Sequence, residues 1–147
     1  MAAIMVAVLA AGLFAGAAIY VSTVEHPARL SCGPELAVRE FAPSYKRGTV
    51  MQASLAVLGC AAAIIGGWQR GDPAVIVGGL LLGSVMPFTL IVILPTNNRL
   101  LDPTLEPRGA ELSHLLTRWG RLHAVRTVLG SVAFLLLVAR IVQWSAP

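Results

Sequence analysis

The sequence predicts an all-α integral membrane protein: a four-helix bundle in the bilayer with almost no soluble domain. Three observations carry that prediction. Of the 147 residues, 56% are hydrophobic and only 12% charged, and a soluble domain of this length needs a polar surface that such a composition cannot supply. The mean hydropathy is +0.77. The apolar residues gather into four stretches, at about 2–24, 49–68, 74–94 and 120–143, each near the roughly 20 residues that a helix needs to cross a hydrocarbon core of about 30 Å. Four such spans leave room for one domain, 1–147, and exclude a second.

The first span carries no charge until Glu25. It lacks the basic start of a cleaved signal peptide, so it reads as a retained helix. Gly12 and Gly16 form a small-xxx-small pair that lets a neighbouring helix come close. His26-Pro27 is expected to stop the helix, because the residue before proline is pushed out of the α region. A long loop is expected over 28–48, with Pro34, Pro43 and most of the nearby charge, and a short interfacial turn at 36–41. The second span closes at Trp68, and Gln69-Arg70-Gly71-Asp72-Pro73 is too short for anything except an antiparallel hairpin. In the third span Gly79 and Gly83 repeat the small-residue spacing, Pro87 predicts a kink, and Pro95 is expected to end the helix. A second long loop is expected over 96–111. Helicity resumes near Leu112 and runs to about Trp144, about 48 Å at 1.5 Å per residue. The fourth helix therefore projects, with Arg118, Trp119, Arg121 and His123 at or just inside the interface.

The net charge of +4 and the isoelectric point near 9.8 do not point to nucleic acid, because the basic residues flank apolar spans. Arg29, Arg39, Lys46, Arg47, Arg99, Arg108, Arg118, Arg121 and Arg126 fall on one side, and Arg70 and Arg140 on the other. The positive-inside rule then places both long loops in the cytoplasm and both termini outside, in a plasma or cytoplasmic membrane. Cys32 and Cys60 form neither a disulfide framework nor a CxxC motif. There is no GxGxxG after a strand, no P-loop, no Gly-x-Ser-x-Gly and no HExxH, which excludes nucleotide-dependent and serine-hydrolase chemistry. The expected partners are the lipid bilayer and a hydrophobic small molecule. The glycine faces leave a homodimer open.

An even number of helices brings three polar segments to one membrane face: Glu25-His26, Asn97-Asn98, and the set Trp119, His123 and Arg126. Spacings of four and three put the last three on one helical face, which Gly130 continues. Ionisable groups at membrane depth are costly and face the bundle interior, so they are functional candidates. Each also has a plainer reading. Arg126 snorkels to headgroups, His123 bonds between helices, and Glu25 caps a helix or pairs with Arg126 or Arg29. Asn97 and Asn98 make a turn, Trp119 anchors at the interface, and His114 is solvated. Their convergence on one face outweighs any one of these readings.

The His-Pro after the first span, Tyr45 before the second, Pro95-Thr96-Asn97-Asn98 after the third, and Trp-x-x-x-His-x-x-Arg from Trp119 to Arg126 resemble the DUF1772 or anthrone oxygenase-like family over nearly the whole chain. That resemblance implies a four-helix membrane protein. The members with an assigned activity are fungal polyketide-pathway enzymes that oxidise an anthrone methylene to the quinone with molecular oxygen.

Three functional readings follow. In the first, a cofactor-free oxygenase or oxidase acts on a hydrophobic aromatic substrate. His26 or His123 is the base, Asn98 or Arg126 binds the developing oxyanion, and Trp119, Tyr45 and Asn97 hold the substrate. In the second, Glu25, His26 and His123, with His114 as a further ligand, bind copper or iron. In the third, the chain is a non-enzymatic membrane subunit or scaffold whose polar cluster locks its helices.

Overall fold

The computed structural model describes residues 1–145 and is entirely helical apart from its turns. Four rods, Ala2–Ser31, Pro34–Arg70, Pro73–Leu100 and Ala110–Ser145, are long and apolar enough to cross a membrane, which makes this an integral membrane protein. The rods pack in ring order: each lies against its chain neighbour, and the fourth closes against the first. This is the up-down-up-down bundle that short connections favour.

The first rod is built from α1 (Ala2–Tyr20), a π-helical turn (Val21–Glu25) and α2 (His26–Ser31). The helix thus continues through His26-Pro27, where a stop was expected. Proline has no N–H and its ring crowds the preceding turn. The wide π turn absorbs that clash and leaves Pro27 near the start of α2, where a missing N–H matters least. The third rod repeats the device. Its α4 (Pro73–Gly83) and α5 (Val85–Phe88) run into a π turn (Thr89–Ile93), and α6 (Leu94–Leu100) carries Pro95 near its start. Pro95 therefore does not end the helix, and Asn97 and Asn98 are helical rather than in a loop. Each extra residue in a wide turn advances the following side chains by about 100°. The break at Ser84, three residues before Pro87, is where the proline ring meets the preceding turn.

The long loop expected over 28–48 is mostly helix. After a turn at Cys32–Gly33, α3 (Pro34–Arg70) runs unbroken through Pro43. Gly33 takes φ +85°, which favours glycine, and its carbonyl accepts from Ala37 N–H at 3.0 Å. Glu35, Arg39, Glu40, Lys46 and Arg47 are good helix formers. The change from apolar to polar sequence therefore marks where the helix leaves the membrane and not where it ends. At 37 and 36 residues, α3 and α7 (Ala110–Ser145) are each about 55 Å long, so the second rod projects as well as the fourth. Their projecting ends are tied through the 101–109 turn: Arg99 pairs with Asp102 and Glu111 at 2.7 Å each, and Arg108 reaches Glu35. At the far end Gly71, at φ +64°, terminates α3, and Asp72 caps α4 by accepting from Ala74 N–H at 2.9 Å.

Two apolar layers fill the bundle. One, around Ile4, Ala7, Phe14, Ala63, Leu82 and Leu137, is rich in alanine and glycine and lets backbones approach closely. The other surrounds Phe41, Ile93, Leu112, Leu116 and Trp119 nearer the projecting end. Gln52 on the second rod and His123, Arg126 and Thr127 on the fourth lie between the two layers in chain order, and with Ser22, just beyond Val21 on the first rod, they form a polar belt.

Candidate active site

A cavity of about 40 Å³ opens in that belt between the first, second and fourth rods. Its wall includes Glu25, Arg29, Tyr45, Gln52, Trp119, His123 and Arg126. The spacing on α7 does what the sequence predicts, setting Trp119, His123 and Arg126 along one face.

His123 is 3% exposed and is held from two directions. Its ring stacks on Trp119 with centroids 4.8 Å apart, and its Nδ1 lies 3.1 Å from Ser22 Oγ. Nε2 is the nitrogen left free. Trp119 is fixed in turn: its Nε1–H donates to Asn97 Oδ1 at 2.9 Å, and Phe41 meets its ring edge-on at 5.5 Å. Asn97 is not part of the cavity wall. It is buried behind Trp119 and sets the indole's angle.

Arg126 donates from Nη2 to Gln52 Oε1 at 2.8 Å and lies over the Phe14 ring at 5.7 Å. Its buried Nε–H has no partner, and it makes no ion pair among the described residues. Arg29 has carboxylates on both sides. It pairs with Glu25 at 2.5 Å and with Glu40 of the second rod, while Ser44 bridges to Glu25 at 2.6 Å. Its Nη1 is buried and unpartnered, and its guanidinium lies 5.6 Å from the Trp119 centroid.

His26 is buried against Trp119, centroids 5.1 Å apart, but does not line the cavity. Neither of its nitrogens has a hydrogen-bond partner, although the Leu116 carbonyl faces the ring outside hydrogen-bond geometry. Asn98 and His114 are exposed and outside the site. The π turn and Pro95 direct Asn97 inward, and Asn98, one residue later, falls on the other side of the helix.

The two-histidine, one-carboxylate metal site does not fit this arrangement. Glu25 is committed to Arg29 and Ser44, both imidazoles pack on Trp119, and among the described residues no three His, Cys, Asp or Glu side chains are grouped to hold an ion.

Ser22, Gln52, Ser44, Thr127 and Gly120 are the site residues that sequence reasoning missed, whereas Arg29 was expected only as a partner of Glu25, a pairing that the structure has. A signal for Arg29 was present: His-x-x-Arg occurs twice, as His26 to Arg29 and His123 to Arg126. Gln52 was also visible as an amide within an apolar span. Ser22 and Thr127 had no signal, since hydroxyls in membrane helices usually bond to their own backbone.

Comparisons with known proteins bear on the whole arrangement. The anthrone oxygenase family profile matches residues 41–136, a stretch that includes Tyr45, Gln52, Trp119, His123 and Arg126. Anthrone oxygenase tpcL of Aspergillus fumigatus is 32% identical over 150 residues, covering 91% of each chain. No solved structure matches. The family profile and the near-full-length relative together show that this chain belongs to the anthrone oxygenase family, which gives it an oxygenase-like function at the level of that family.

Proposed function

We propose that the chain uses molecular oxygen to convert the methylene of a flat, bilayer-soluble anthrone-like substrate to a carbonyl, with His123 as the base. The observation that carries this reading is the pairing, in one cavity wall, of a histidine with a free nitrogen and an arginine with no carboxylate. A group that only locks helices together is satisfied by its neighbours. Arg126 Nε and Arg29 Nη1 are not, and buried unpaired donors are costly unless a ligand takes them up.

The chemistry follows from those groups. His123 Nε2 takes one proton from the methylene, and the charge spreads onto the carbonyl oxygen. Arg126 Nε–H donates to that oxyanion, in a setting dry enough to make the bond count. The electron-rich carbon bonds to one atom of O2, and the distal oxygen receives the proton held by His123. Loss of the remaining C–H proton with cleavage of the O–O bond yields the new carbonyl, and the second oxygen leaves as water. Tyr45, stacked on Phe41 through one face, offers its other face to the substrate, and Trp119 holds the His123 ring.

The cavity holds roughly three waters, too few for a tricyclic ring, so binding must widen it. Grooves of about 460 and 580 Å³ lie on the bilayer side of Glu25 and Glu40, lined by Tyr20, Val24, Leu36 and Met51. The substrate enters there by parting the first and second rods. The distribution of basic residues supports a site near the cytoplasmic face.

The test uses purified protein in lipid nanodiscs with anthrone, following quinone absorbance and oxygen uptake above uncatalysed autoxidation. His123→Gln is expected to lower kcat by about 10²–10⁴-fold, the usual contribution of a general base. Arg126→Gln should lower it with the fold retained. Wild type and His123→Gln both at the autoxidation rate would leave the helix-locking role as the function.

A further inference from the structure

We propose that Ser22 and Thr127 are positioning residues that hold His123 with its proton on Nδ1, so that the Nε2 lone pair faces the cavity. The proposal rests on the reading of His123 as the base, which needs that lone pair.

Each hydroxyl of the pair has one hydrogen to give. Thr127 has one hydroxyl hydrogen, and its Oγ1 lies 3.2 Å from two carbonyl oxygens, those of Ala18 on the first rod and His123 on its own. In the proposed relay that hydrogen goes to one of the two carbonyls, which only accept, and Thr127 Oγ1 accepts from Ser22 Oγ, 2.8 Å away. Ser22 has thereby spent its single hydrogen. With that direction, Ser22 Oγ, 3.1 Å from His123 Nδ1, accepts and the imidazole donates. A neutral ring that donates from Nδ1 has its lone pair on Nε2.

The placement of Ser22 is unusual for this chain. Thr23, Ser54, Thr89 and Thr117 each bond back to the carbonyl four residues earlier. Ser22 does not. It lies in the π turn (Val21–Glu25), and its hydroxyl crosses to the fourth rod. The wide turn thus supplies the relay that orients the base.

Thr127→Val is the discriminating variant, because it removes the acceptor that claims the Ser22 hydrogen. Ser22 is then free to donate to Nδ1, which moves the imidazole proton to Nε2. Thr127→Ser keeps the hydroxyl and should behave as wild type. The direct readout is ¹⁵N NMR of protein labelled at histidine in nanodiscs, with His123→Gln to assign the signals. Wild type and Thr127→Ser are expected to show an unprotonated Nε2, and Thr127→Val a protonated one. In the oxidation assay Thr127→Val should lower kcat by about tenfold or more, a part of the general-base contribution, with a smaller change in KM. A proton on Nε2 in wild type, or an unchanged ring in Thr127→Val, would overturn the proposal. An active His123→Gln variant with the expected NMR pattern would instead overturn the base assignment and leave the relay standing. A Thr127→Val protein that fails to fold is replaced by Ser22→Ala, which should leave Nδ1 without its acceptor and populate both tautomers, whereas a single unchanged tautomer would again overturn the proposal.

Discussion

At Gly120 the absence of a side chain makes room for another residue. A Cβ there would lie 2.6 Å from His26 Nε2 and 2.8 Å from its Cδ2. The imidazole cannot easily yield, since Trp119 packs on it and carries His123 in turn. Gly120→Ala should therefore cost about 1–3 kcal/mol as overpacking, read as a lower Tm in detergent, and should disturb the His123 stack as well. Only some of these residue-level relations were legible. The spacing of Trp119, His123 and Arg126 was, because helical periodicity alone sets which side chains share a face. The depth of His26 behind Trp119 was not, because it depends on a ring from another rod. The exposure of Asn98 beside the buried Asn97 was missed for a related reason: a turn was expected where a helix forms, and a helix sends adjacent residues in different directions.

Helix ends were the least legible elements. Pro27 and Pro95 carry strong stop signals, yet both rods continue, because a π turn ahead of each proline removes the clash that the stop rule assumes. The glycine pairs were partly legible. Gly79 packs on the second rod, where a Cβ would meet Ala63 Cβ at 2.5 Å and the Cys60 carbonyl at 3.2 Å, whereas Gly16 has nothing within 4 Å. Gly79→Ala is therefore expected to destabilise by about 1–3 kcal/mol. Gly16→Ala should be neutral or slightly stabilising, since alanine is the better helix former. Thermal unfolding of the two variants side by side checks the contrast, and equal losses would contradict the assigned packing.

For the molecule as a whole, the end opposite the site is clamped. Asp72 caps the third rod and pairs with Arg140 of the fourth at 2.5 Å, and Arg70 at the end of the second lies 4.2 Å over Trp144. The hydrogen bond from Arg140 holds the Asp72 carboxyl below its ordinary range. A carboxylate whose value is depressed on folding adds stability above its unfolded value, near 4, and loses it as pH falls through the lower folded value. Asp72→Asn should thus have a lower Tm than wild type at neutral pH, with the gap closing below about pH 4. A gap independent of pH would mean that the cap, and not the charge, accounts for the loss.

The sequence by itself determined that there are four membrane-length helices, that they alternate in direction, and which residues of the fourth share a face. Those properties follow from composition, span length and helical period, each local to its own stretch of chain. Only the tertiary structure decided which polar groups line the cavity, that Arg29 and Gln52 join it, that Asn98 and His114 do not, and that Ser22 reaches His123. These depend on the rotation of one rod against another, and in the first and third rods that rotation includes a wide turn whose position no periodic pattern reveals.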